Sequence, residues 1–343
     1  MRRIVYTKKG GLDSIEIIEE KSPTPSSNEV LIEVHRAGIN FADLMMRQGL
    51  YGAAPKFPFT PGYEIAGEII DLGKDVSNFS KGDRVVSLCG FGGYSEKVSV
   101  PVERTFLLPD DVSFETAAAM PVTYATAYHM LKFLGNFQKG DSILVHHAAG
   151  GVGTAAAQIG KYLGASKIIG TSSSEKSDFV IEQGMIHVDR KKGDFVEICK
   201  KETNGEGVHH ALDPVGGNHL MRSYKSLRSG GRLYCFGASS AVSGYNRSLI
   251  SAFKMWKSTP RFDPLRMMNS NKSVFGVHLG TWKDQEILAQ HMLELAKLLG
   301  EGCINPIVDK VFRFEEVAKA QKYIHDRKNK GKVLLDFSPA NCS

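Results

Sequence analysis

Val145-His146-His147-Ala148-Ala149-Gly150-Gly151-Val152-Gly153-Thr154 closes an apolar strand that begins at Ser142 and opens a helix. A glycine-rich turn in that setting lets the backbone approach a pyrophosphate. Read as G-x-G-x-x-G, the turn has Ala148 in the first position, Gly150 in the second and Gly153 in the third. Gly150 admits the phosphate, Gly153 lets the helix pack close to the strand, and the cradle runs through Ala149, Gly150, Gly151, Val152 and Gly153. The free N–H groups and positive dipole end of the helix then face the anion. Ala148 departs from the strict pattern, and a glycine-rich turn with no ligand is the plain alternative.

Working outward, the next strand, Lys167-Ile168-Ile169-Gly170, ends in Thr171-Ser172-Ser173-Ser174-Glu175-Lys176. An acidic residue at that strand end would hydrogen-bond ribose hydroxyls and select NAD. Ser172 and Ser173 with Lys176 suit a 2′-phosphate instead, and Arg190, after the following strand, offers a bidentate grip. The lean is to NADP, against Glu175 and against a reading of 172–176 as a capped helix start with a solvated lysine. Strands at 208–213 and 231–237 continue the strand–helix alternation, the signature of a doubly wound parallel sheet.

The residues before that region have another character. Val30-Leu31-Ile32-Glu33-Val34-His35 alternates as a half-buried strand does, and strands at 65–73 and 83–88 follow without long helices between them. Quick succession of strands suggests a small, partly closed β-barrel. Ser113 is placed to cap a helix beginning at Phe114. The expected division is 1–121 with 267–343 as one domain and 122–266 as the other.

The 343 residues carry 43 Lys and Arg against 37 Asp and Glu, a net charge of +6 with no long basic block, which disfavours nucleic acid as a partner. Apolar runs are too short to span a bilayer, and no secretory apolar segment follows Met1. Cys89, Cys199, Cys235, Cys303 and Cys342 are odd in number and never spaced Cys-x-x-Cys, so a disulfide framework or a zinc lobe is not expected. That usage fits a reducing, cytoplasmic setting.

Pro61-Gly62-Tyr63-Glu64-Ile65-Ala66-Gly67, Lys81-Gly82-Asp83-Arg84-Val85 and the glycine turn, in that order, resemble the medium-chain dehydrogenase/reductase superfamily. Gly38-Ile39-Asn40-Phe41-Ala42-Asp43-Leu44, Arg47-Gln48-Gly49-Leu50-Tyr51 and Asn329-Lys330-Gly331-Lys332-Val333 look like its zinc-free quinone oxidoreductases. Asp213-Pro214-Val215-Gly216-Gly217, Phe275-Gly276-Val277-His278-Leu279-Gly280 and the stretch 257–271 are similar to its synaptic vesicle membrane protein (vesicle amine transport) branch. The resemblance implies an α/β fold: a GroES-like, partly closed β-barrel catalytic domain plus a Rossmann doubly wound parallel sheet.

The same resemblance implies an NADPH-dependent, zinc-independent hydride transfer to a quinone, with an alkenal or other enone as the alternative acceptor. A cofactor-binding membrane-trafficking protein with little turnover is the rival. The family's catalytic zinc ligands fall at Asn40, Tyr63 and near Val122 here, none a good ligand for zinc. Asn40 and Tyr51 match positions lining the acceptor pocket; a backbone-bonded turn residue and a packed loop aromatic are their plain readings. Thr126, Phe236, Gly237, Ala238, Gly276, Val277 and His278 match positions beside the nicotinamide, and Lys332 is expected near the adenosine phosphate. His146 is expected to be structural. A homodimer joined through the strand around 274–279 is the family expectation. The stretch 255–268 reads as a lid or inter-domain cover in preference to a contact with an anionic membrane surface.

Overall fold

Strand Arg2–Tyr6 (β1) pairs antiparallel with Ile15–Glu19 (β2), and the alternating run becomes an eleven-residue strand, Glu29–Ile39 (β3). After helix Phe41–Arg47 (α1) come Glu64–Leu72 (β4), Arg84–Leu88 (β5), Lys97–Pro101 (β6) and Thr105–Leu107 (β7). Helices Phe114–Ala118 (α2) and Pro121–Tyr128 (α3) follow, with the Ser113 hydroxyl accepting the Thr116 N–H at 3.1 Å as the expected cap. This computed structural model describes residues 1–338, so Cys342 lies outside the described residues.

The parallel region contains Ser142–His146 (β8), Gly151–Tyr162 (α4), Lys167–Ser172 (β9), Ser177–Glu182 (α5), Ile186–Asp189 (β10) and Phe195–Glu202 (α6). It continues through Val208–Asp213 (β11), His219–Lys225 (α7), Leu227–Cys235 (β12), Leu249–Ser258 (α8), Pro264–Ser270 (α9) and Ser273–Gly276 (β13). The chain closes with Gln285–Gly300 (α10), Val308–Arg313 (β14), Val317–His325 (α11) and Lys332–Asp336 (β15).

Two compact units result. The first holds Met1–Ala125, Gly244–Arg247 and the chain from Gly280 onward; the second holds Thr126–Ser243 and Ser248–Leu279. In the first, a seven-stranded sheet runs β14-β15-β3-β4-β5-β7, with β6 also on β3. The length of β3 explains the arrangement: Glu29–Glu33 pair with β6, and Arg36–Ile39 pair with β15. Ile32, Val34, Ile65, Val85 and Leu335 fill its core. In the second, six parallel strands run β10-β9-β8-β11-β12-β13, the 3-2-1-4-5-6 order of dinucleotide-binding sheets.

The return to the first unit falls at Gly280, not at 267 as expected. Ser273–Gly276 pairs in parallel with β12 as the last strand of the six-stranded sheet, and so keeps residues 267–279 in the second unit.

Candidate functional site

In an open parallel sheet of this order, ligands bind beyond the carboxyl ends of the strands where connections diverge, here at the ends of β8 and β11. The turn after β8 has that architecture. His147 takes a left-handed φ of 54°, and Gly150 is the extended residue from which α4 starts with no side chain capping it. The first N–H groups of α4, from Gly151, Val152 and Gly153, are thus left for a ligand. A Cβ on Gly153 would lie 2.5 Å from the carbonyl oxygens of both His147 and Ala148, so only glycine allows this helix-to-turn approach. The residues present fit a dinucleotide pyrophosphate.

At the end of β9, the Lys176 N–H bonds to the Ser173 carbonyl (3.0 Å) and the Arg190 N–H to the Ser172 carbonyl (2.8 Å). The backbone therefore brings Ser173, Lys176 and Arg190 together, and Arg190 is exposed with no ion pair among the described residues. Ser172 departs from expectation. It is buried, and its hydroxyl bonds to the Ser173 carbonyl and to His187 Nε2, both at 3.0 Å. Its side chain thus braces the loop and is not a phosphate donor.

Phe236, Gly237 and Ala238 follow β12, where the Phe236 N–H bonds to the Asp213 carbonyl and the Val277 N–H to the Cys235 carbonyl. Gly276, Val277 and His278 therefore leave β13 beside them, at the same edge of the sheet. Thr126 sits half-buried in α3.

The first unit holds the other candidates. Asn40 lies between β3 and α1, where its N–H bonds to Asp43 Oδ2 at 2.8 Å. Its side chain does more than the turn reading asks. Asn40 Nδ2 donates to Glu64 Oε1 (2.8 Å), while Oδ1 accepts from Lys332 Nζ (2.6 Å). A carboxylate on one end and an ammonium on the other fix which way the amide points, leaving its second N–H available. Glu64 also pairs with Lys332 and accepts the Val122 N–H at the start of α3 (2.7 Å). Tyr51 is half-buried and shares a hydrogen bond with Tyr63; burial raises the pKa of both, so both hydroxyls remain donors at neutral pH.

Behind this group, Asp43 is fully buried, and burial lifts its carboxyl to about 6 against bonds from Tyr94 and the Asn40 N–H. Its Oδ2 accepts a hydrogen bond from Tyr94 Oη at 2.7 Å, while Oδ1 has no partner among the described residues.

Residues 26–110 match the alcohol dehydrogenase GroES-like domain, and residues 177–335 match the zinc-binding dehydrogenase family. The chain is 38% identical over 343 residues to the human synaptic vesicle membrane protein VAT-1 homolog, covering 99% of this chain and 87% of that protein. It belongs to the medium-chain dehydrogenase/reductase superfamily. Among solved structures of the superfamily, the human synaptic vesicle membrane protein VAT-1 homolog-like protein superposes with a TM-score of 0.86 at 31% identity, covering 99% of each chain. Quinone oxidoreductase of Escherichia coli, complexed with NADPH, does so with a TM-score of 0.86 at 30% identity, covering 98% of this chain and all of that one.

Superfamily members that use zinc need thiolate, imidazole or carboxylate donors turned to one point. At the corresponding positions here, the Asn40 carbonyl is taken by an ammonium, the Tyr63 hydroxyl points to Met46 Sδ at 3.8 Å, and Val122 offers a backbone N–H. These residues do not fit zinc. Lys332 corrects another expectation. Its side chain is 4% exposed and its amine is committed to Glu64 and Asn40 within the first unit, so it does not reach for a phosphate. Sequence reasoning missed Glu64 and Asp43 as members of this group. A charged residue opening the apolar strand β4, and another inside the buried face of α1, were the available signals.

Proposed function

We propose that the protein is a zinc-independent, NADPH-dependent oxidoreductase that transfers hydride to a quinone, with a conjugated enone as the alternative acceptor. The observation that carries this reading is the uncapped glycine turn together with Lys176 and Arg190 at the next strand end. The NADPH complex of the similar Escherichia coli quinone oxidoreductase supports it. When bound, NADPH supplies the hydride. The chain's own part is to bind, orient and stabilise charge. The start of α4 takes the pyrophosphate, Lys176 and Arg190 the 2′-phosphate, and the backbone of Phe236–Ala238 and Gly276–His278 the nicotinamide end, with Thr126 beside it. Quinones and enones are already electrophilic, so hydrogen bonds suffice to stabilise the oxyanion formed on reduction. The second N–H of Asn40 and the Tyr51 hydroxyl are the proposed donors.

Steady-state oxidation of NADPH with 1,4-benzoquinone, 9,10-phenanthrenequinone and an alkenal tests the reading. Turnover with a quinone is the expected result, and turnover with the alkenal alone would transfer the assignment to enone reduction. We further propose a cytoplasmic homodimer in which the outer edge of β13 pairs with its counterpart, since β13 ends the sheet. The four described cysteines are free thiols, which suits that setting.

One observation favours a second reading, a membrane-associated protein with little turnover. Leu249, Ile250, Phe253 and Trp256 are 58–70% exposed along one stripe of α8, with Lys254 and Lys257 beside them. No described helix is long and apolar enough to cross a membrane, so such contact would be peripheral. Tight NADPH binding with no oxidation by any acceptor would favour this reading.

A further inference from the structure

The second unit contains a cluster the proposed reaction does not use. His146 ends β8, Asp213 ends the adjacent β11, and His219 and Ser223 lie one turn apart on α7. One ligand atom from each of His146, Asp213 and His219 lies within 4.8 Å of the others. Ser223 Oγ joins them, at 2.6 Å from Asp213 Oδ2, 3.0 Å from His146 Nε2 and 3.5 Å from His219 Nδ1. His219 Nδ1 is 2.7 Å from Asp213 Oδ2.

We propose that His146 Nε2, His219 Nδ1, Asp213 Oδ2 and Ser223 Oγ form a four-coordinate binding site for a divalent transition-metal ion of the zinc type. Tetrahedral zinc, with bonds of about 2.0–2.2 Å, holds its ligand atoms about 3.3–3.6 Å apart. Of the four separations, 3.5 Å falls within that range, while 2.6, 2.7 and 3.0 Å are shorter, so the ligand atoms spread by up to about 1 Å to seat the ion. Two imidazoles and one carboxylate are a donor set suited to zinc and its neighbours.

The surroundings are those of a ligand set held in place. His146 Nδ1 bonds to Thr171 Oγ1 at 2.9 Å, and Asp213 Oδ1 accepts the Val215 N–H at 2.7 Å and the Gly216 N–H at 3.2 Å. Such outer partners fix ring tautomer and carboxylate direction. Phe195 packs edge-on against His146, with 4.7 Å between ring centroids, and shields one side.

The protons balance within the cluster. The single Ser223 hydroxyl hydrogen goes to Asp213 at the shorter distance, so His146 carries its proton on Nε2 and accepts from Thr171. On metal binding that proton passes to His146 Nδ1, with Thr171 turning from donor to acceptor, the His219 proton moves from Nδ1 to Nε2, and Ser223 keeps its own proton, turned away from Asp213, as a neutral hydroxyl ligand. The bound ion would tie the end of β11 and the start of α7 to β8, immediately before the glycine turn.

The test is titration of chelator-treated, fully dialysed protein with Co²⁺ and Zn²⁺, read by visible absorption and by thermal melting. Expected are one equivalent of Co²⁺ with intense bands of four-coordinate geometry, displaced by Zn²⁺, and a higher Tm with either ion. His219→Asn should weaken binding at least tenfold while its metal-free melting stays near that of the parent. Should that variant fail to fold, Ser223→Ala, which keeps three ligands, should alter the Co²⁺ spectrum. No Co²⁺ bands in the parent, weak six-coordinate bands, or equal affinity in His219→Asn would each overturn the proposal, leaving a hydrogen-bond network only.

Discussion

Lys332→Met tests the buried group around Asn40. The side chains of Lys332 and Glu64 are 4% and 0% exposed, and the exchange removes the ammonium while keeping apolar volume. Glu64 is then left with two donors, Asn40 Nδ2 at 2.8 Å and the Val122 N–H at 2.7 Å, and no opposite charge. Removing one member of a buried ion pair costs about 3–5 kcal/mol, because the remaining charge stays desolvated. At about 2–4 °C per kcal/mol for a unit of this size, the Tm should fall by about 6–20 °C. Asn40 also loses the partner that fixes its carbonyl, so turnover with a quinone should fall even at temperatures where the variant is folded. Urea unfolding and steady-state kinetics give both quantities. The double variant Lys332→Met/Glu64→Gln removes both charges and should recover most of the stability. A single variant within about 1 kcal/mol of the parent, or a double variant no better than the single, would refute the reasoning.

Other expectations follow from the same geometry. Arg190→Ala with Lys176→Ala should weaken NADPH binding by about tenfold or more, through lost charge-assisted bonds, and leave NADH unchanged; equal losses for both cofactors in a calorimetric titration would remove that assignment. Gly153→Ala places a Cβ 2.5 Å from two carbonyl oxygens; it should cost about 1–3 kcal/mol in urea unfolding and abolish saturable NADPH binding. Asp43 has a folded-state pKa raised from 3.8 to about 6, so the folded protein holds its proton more tightly than the unfolded chain and loses stability as pH rises from about 4 to 6. Asp43→Asn should abolish that slope, becoming more stable relative to the parent across this window; parallel stability curves would show that Asp43 does not titrate there.

How far these features were legible in the sequence depended on the range of the interactions involved. The glycine turn announced itself because strand, turn and helix are contiguous, and β3 because its alternation is local. Lys332 was misplaced because its partners are set by a register: β15 pairs with β3 through Val333 and Ile39, nearly three hundred residues apart, and that pairing carries the amine to Asn40. Ser172 looked like a phosphate donor because a hydroxyl at a strand end says nothing of its direction, which His187 on the neighbouring β10 decides. The division at 267 failed because β13 is four residues long, too short to show a period, and becomes a strand through pairing with β12. The His146, Asp213, His219 and Ser223 cluster depends on β8 and β11 being neighbours, which the sheet order alone reveals.

The central claim is that this chain binds NADPH and passes its hydride to a quinone. It is tested most directly by loading the protein with NADPH and mixing it with 1,4-benzoquinone in a stopped-flow instrument. The account predicts rapid loss of the reduced-nicotinamide absorbance in a single turnover, saturating with quinone and slowed when NADH replaces NADPH at equal concentration. Bound NADPH that persists at every quinone concentration would contradict it.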